Sequence, residues 1–182
     1  LYEQYFESIK QYYGSKYYDK FISVICCLSL VDRPVTLHEL AVLSGNNNLN
    51  FAFLGFINSM RLFLGTTRGE EGTYFTLDHA ERKETVTRIF QKKVDETVDY
   101  LIEKIVEVST DKFDFSNIED TVYYSCINSI LLSKNLTNEK VNALFNALLS
   151  IPAKLSWSQN YFDNKKELEI VKHIDDFSKF NL

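Results

Sequence analysis

Three histidines and three cysteines are the side chains of this 182-residue chain best suited to acid–base, nucleophilic or metal chemistry. Their surroundings sort them. His38 falls in the first turn of a short helix beside Glu39, and His173 lies next to Asp175 and Asp176 on an amphipathic stretch. Both read as solvated surface residues. No two histidines, and no His with a Cys, stand at metal-ligand spacing. His79 differs because it follows two extended runs directly and sits where a helix begins. Free backbone N–H groups favour an anion there, and an imidazole can donate a hydrogen bond to it. Packing against the hairpin is the alternative use of that position. Cys26 and Cys27 are adjacent in an apolar run that is neither electropositive nor accessible, so reactive thiols are not expected. With Cys126 they form a sparse, odd set that argues against a disulfide framework and fits a reducing cytoplasmic setting.

Other chemistry finds no foothold. Gly65, Gly69 and Gly72 lack Walker spacing and a following Lys-Ser/Thr, and neither a nucleophile elbow nor a paired-carboxylate cleft is recognisable. The segment reads as no enzyme on its own and as holding no metal. A net charge of −5 without a Lys/Arg cluster argues against a general nucleic-acid or anionic-membrane binder. No run approaches the ~20 apolar residues of a membrane span, and no signal peptide opens the chain. It starts at Leu1 inside a helical pattern, which suggests a segment of a larger protein.

The elements that would position His79 come from periodicity and punctuation. A composition of 45% apolar and 14% aromatic residues suffices for a real core. Tyr2, Tyr5, Phe6, Ile9, Tyr12 and Tyr13 make one aromatic face on a helix ending near Gly14, read as core packing. A second helix from about Lys16 to Val31 is apolar nearly all round and should be central. Asp32-Arg33-Pro34 stops it. Thr36 and Glu39 form a capping box for a short helix ending at Gly45. A third helix runs from about Asn50 to Leu62, and two extended runs between Phe63 and Leu77 flank a Gly-bounded turn. This order is a winged helix.

Asp78 to Glu81 repeats the capping box and opens a helix able to continue to about Val108. Ser116 and Thr137 cap two more, the second stopped by Pro152. Asn164 caps a last helix after an aromatic stretch with Trp157, Tyr161 and Phe162.

A winged helix that reads DNA needs basic side chains on and around its third helix. From Phe21 to Leu77 there are three basic residues (Arg33, Arg61, Arg68) against four acidic ones (Asp32, Glu39, Glu70, Glu71). The third helix is instead rich in Phe51, Phe53 and Phe56, which serve either the local core or a neighbouring domain.

Tyr2-Glu3-Gln4-Tyr5-Phe6, the run Val24 to Leu30, Pro34-Val35-Thr36-Leu37-His38-Glu39-Leu40-Ala41 and Tyr74-Phe75-Thr76-Leu77-Asp78-His79 together resemble the region after the nucleotide-binding module of STAND-class NTPases of the NACHT and NB-ARC type. The resemblance covers roughly residues 1 to 107. In one branch of that family an Asp follows the His, whereas here Asp78 precedes it. The resemblance implies a regulatory, non-catalytic segment that packs on the nucleotide-binding module of its own chain and controls activation and oligomerisation in cytoplasmic, innate-immunity-like signalling. It also implies that His79 touches bound ADP or ATP of the parent protein.

The sequence therefore predicts a mostly α-helical chain. A leading helix (1–19) precedes a winged helix with a small β-hairpin wing (20–77), a long connector helix (78–109) and a C-terminal helical part (110–182). A DNA-binding transcription regulator and a protein-interaction scaffold without a nucleotide are the competing classes.

Overall fold

In a computed structural model, residues 1–46, 51–60, 63–77, 79–110, 117 and 121–155 are described. The chain divides into two compact units, 1–97 and 98–182. Among the described residues it is mostly helical with one small antiparallel sheet, as the sequence predicts.

In the first unit, α1 (Tyr2–Tyr13) passes through Gly14 into α2 (Ser15–Leu30). Gly14 has φ 80°, a backbone angle that L side chains rarely adopt. Helix α2 buries nine residues, including Phe21, Val24, Ile25 and Leu28, and forms the axis of this unit. Each large side chain so buried contributes about 1.5–3 kcal/mol. The turn at Asp32-Arg33-Pro34 leads to β1 (Val35–Thr36) and α3 (Leu37–Leu43), with both halves of the Thr36–Glu39 capping box formed. Helix α4 (Phe51–Ser59) precedes the hairpin of β2 (Gly65–Gly69) and β3 (Gly72–Thr76). The sheet order is β1-β3-β2, with Val35 opposite Phe75 and Gly69 opposite Gly72. A helix, a strand, two helices and two wing strands, in that order, are the winged-helix arrangement. Glu70 and Glu71 form the wing's exposed tip, and Gly72 has φ 116°.

Aromatic contacts knit α1, α2 and α4 together. Phe21 meets Phe56 edge-on at 5.3 Å, Tyr13 meets Phe56 at 4.5 Å, and Phe6 meets Phe63 at 5.2 Å. The aromatic face of α1 is shallower than its spacing implied. Only Phe6 and Ile9 are buried, Tyr2, Tyr5 and Tyr13 are half-buried, and Tyr12 is 83% exposed. A tyrosine can lie at a boundary because its ring takes apolar contacts while its hydroxyl stays polar.

The expected connector helix is broken. Helix α5 (Ala80–Ile89) ends and α6 (Gln91–Thr110) begins around Phe90, and the unit boundary falls within α6.

In the second unit, Val98, Leu101, Ile102 and Ile105 give α6 a buried stripe at helical spacing. A 3₁₀ segment spans Val122–Cys126 where an α-helix was expected, and α7 (Ile127–Leu131) continues from it. Helix α8 (Asn138–Leu155) buries Val141, Leu144 and Leu148, and its first turn is capped by Thr137 Oγ1, which accepts the Lys140 N–H at 3.3 Å. This helix runs past Pro152, which was expected to end it. A proline's fixed φ is compatible with a helix, but it removes one donor and its ring crowds the carbonyl four residues back, and the described helix reaches only to Leu155. Ser109 and Tyr124 share a buried hydroxyl–hydroxyl bond, and Ser150 Oγ donates to the Ser109 carbonyl at 3.1 Å.

The expected caps at Asp78 and Ser116, the turn at Asn47–Asn48, Arg61, and the stretch carrying Trp157, Tyr161, Phe162, Asn164 and His173 lie outside the described residues.

Candidate functional site

His79 is placed by the wing on one side and by α5 on the other. Strand β3 delivers the chain to Leu77, which is buried and anchors the wing's exit. His79 then takes extended angles (φ −115°, ψ 136°) at the N-cap of α5, one residue later than an N-cap at Asp78 would be. Its carbonyl accepts the N–H groups of Arg82 at 2.9 Å and Lys83 at 3.3 Å, which closes the first turn. The imidazole makes no capping hydrogen bond, and the residue is exposed.

Two neighbours hold that helix start in place. Arg82 Nη1 donates to the Phe63 carbonyl at 2.6 Å, with its guanidinium 5.9 Å from the centre of the Phe63 ring. Lys83 Nζ donates to the Val31 carbonyl at 2.8 Å, just beyond the C-terminus of α2, where a cation is favoured by the helix dipole. Thr85 and Val86 are buried one turn further on. The start of α5 is thus tied to the winged helix at two carbonyls, and His79 projects from a fixed base. An exposed imidazole at the positive end of a ten-residue helix can donate a hydrogen bond to an anion brought against it.

A groove of about 450 Å³ lies between α1 and the segment before the wing, lined by Tyr2, Gln4, Tyr5, Ser8, Phe63 and Arg82. Tyr5 donates its hydroxyl to Met60 Sδ at 3.1 Å, and burial raises its pKa.

The remaining candidates carry no site. His38 is exposed on α3. All three cysteines are buried and none forms a disulfide, and burial pushes the Cys26 thiol up to about 12. Among the described residues no group of three His, Cys, Asp or Glu side chains is placed to hold a metal ion, and no helix is long and apolar enough to cross a membrane. Helix α4 buries Phe53, Phe56 and Ile57 in the first unit's own core and exposes Gly55, Asn58 and Ser59. Of the two uses considered for its phenylalanines, local packing holds for Phe53 and Phe56. None of these three outward residues carries a positive charge.

No protein-family model, curated protein or solved structure matches the chain.

Arg82 and Lys83 are the residues the sequence did not single out. A hint was available in their adjacency within the first turn of α5, because cations there oppose the helix dipole and need another reason to be present.

Proposed function

We propose that this chain is a regulatory, non-catalytic segment of a STAND-type signalling NTPase, with the winged helix packing on the nucleotide-binding module of the same protein. In this reading His79 donates a hydrogen bond to a phosphate of bound ADP and so favours the resting state. Its loss shifts the population toward an open form that oligomerises. The observation that carries the reading is the exposure of His79 at the N-cap of α5, with its imidazole engaged in no cap and the helix start fixed by Arg82 and Lys83.

The DNA-reading alternative draws little support. Among the described side chains of α4 the outward ones are Gly55, Asn58 and Ser59, and the wing tip carries Glu70 and Glu71. Phosphate contacts need Lys or Arg at such places. A cytoplasmic location and oligomer partners belong to the same proposal.

The test is resting signalling by the full-length protein. His79→Ala is expected to raise output without the activating signal, while His79→Gln, which keeps a donor, stays closer to wild type. Equal resting output from all three proteins overturns the reading.

A further inference from the structure

The chain from Ala80 to Thr110 contains neither Pro nor Gly. Its apolar residues Val86, Ile89, Phe90, Val94 and Val98 keep three- and four-residue spacing through the junction between α5 and α6. Sharp breaks in helices almost always have a local cause, such as a proline, a Gly or Ser pair, or a bulge. The Thr87-Arg88-Ile89-Phe90-Gln91-Lys92-Lys93 stretch supplies neither a proline nor such a pair, yet α5 stops at Ile89 and α6 restarts at Gln91.

The departure centres on one residue. Phe90 has φ −114° and ψ 31°, against about −63° and −42° in a regular helix. Its N–H still reaches the Val86 carbonyl at 2.8 Å, and its own carbonyl still accepts the Val94 N–H at 2.9 Å. Helical bonding is therefore intact on both sides of a single rotated peptide.

Tertiary contacts at this junction come from α1. The Phe90 ring meets the edge of Phe6 at 5.0 Å, and Phe6 is 2% exposed and also packs on Phe63. Arg88, in the last turn of α5, pairs with Glu3 at 3.3 Å. Two residues of α1, one turn apart, thus contact the end of α5, Phe6 from the core and Glu3 through a solvent-exposed pair that adds little. Helix α1 buries two residues where α2 buries nine, and it is further anchored by ring contacts of the half-buried Tyr2, Tyr5 and Tyr13. Elements with few buried contacts open at the lowest free energy.

We propose that Phe90 is a one-residue hinge kept bent by α1, and that displacement of α1 lets α5 and α6 join as one continuous helix. Both arrangements suit the local sequence, which is what a bistable element requires. Helix α1 is the control: whatever draws Phe6 away from Phe90 sets the hinge. The inference goes beyond the functional reading, because it needs no ligand at His79 and holds or fails by itself.

The test is a pulsed dipolar distance measurement on the full chain with spin labels at Glu84→Cys and Glu96→Cys. Both positions are exposed, and the three native cysteines are buried, so labelling is selective. In a straight helix the two backbones lie about 18 Å apart, and a bend shortens this. The wild-type background is expected to give the shorter distance. Phe90→Ala removes the ring but keeps helix propensity, and is expected to add the longer one. Phe90→Gly removes the ring without favouring a helix and is expected not to add it. Should the Ala variant fail to fold, Phe90→Leu retains an apolar side chain without the ring contact and gives the same readout. A single unchanged distance in the folded Ala or Leu variant overturns the proposal.

Discussion

Arg33 and Glu39 meet as a two-point ion pair at the turn between α2 and α3, with Nη2 to Oε1 at 2.7 Å and Nη1 to Oε2 at 3.2 Å. The same carboxylate accepts the Thr36 N–H at 2.8 Å, while Thr36 Oγ1 accepts the Glu39 N–H at 3.2 Å. One side chain therefore caps α3 and ties it to the Pro34 turn.

This arrangement predicts a pH dependence. Burial pushes the Glu39 carboxyl up, but the hydrogen bonds from Arg33 and Thr36 and the Arg33 charge outweigh it and leave the pKa below its ordinary value. A depressed carboxyl stabilises the fold above the unfolded-state value of about 4.3, and that contribution is lost as pH falls through the lower folded value. Glu39→Gln is expected to cost roughly 1–2 kcal/mol at pH 7 and progressively less in acid. Urea unfolding of the two proteins at pH 7 and pH 3 checks this; a difference of equal size at both values contradicts it.

Cysteine chemistry makes a second prediction. With the Cys26 thiol at about 12 and all three cysteines buried, iodoacetamide at pH 8 is expected to modify none of them in the native chain and all three in denaturant. Mass spectrometry counts the adducts, and native labelling of Cys26 would mean that α2 opens readily.

In the second unit, Ser109 also donates to the Ile105 carbonyl at 2.6 Å and lies against the Tyr124 hydroxyl. Tyr124→Phe and Ser109→Ala are each expected to destabilise by about 1–2 kcal/mol, and the double variant by less than their sum. Denaturant unfolding followed by a probe in residues 98–155 measures the coupling. Strict additivity would show that the two hydroxyls do not support each other.

What the sequence disclosed followed the range of the forces involved. The Thr36–Glu39 box, the stop at Pro34 and the Gly14 junction are set within four residues, and all three are present in the structure. The burial of α2 was also plain, because Phe21 to Leu30 is apolar on every side. The break at Phe90 could not be read, since the ring it packs on is Phe6, 84 positions earlier. Tyr12 has the spacing of a core residue and is exposed, because periodicity gives a face but not how deeply that face is covered. At the candidate site, the position of His79 after the wing was legible. The contacts of Arg82 with Phe63 and of Lys83 with Val31 were not, because they join residues 19 and 52 apart.

The central claim concerns His79 and a nucleotide, and the most direct measurement is the rate at which ADP leaves the purified full-length protein. The account predicts faster release from His79→Ala, by roughly tenfold for the loss of one hydrogen bond to a charged group worth about 1.5 kcal/mol, with His79→Gln between the variant and wild type. Identical release rates for wild type and His79→Ala would contradict it.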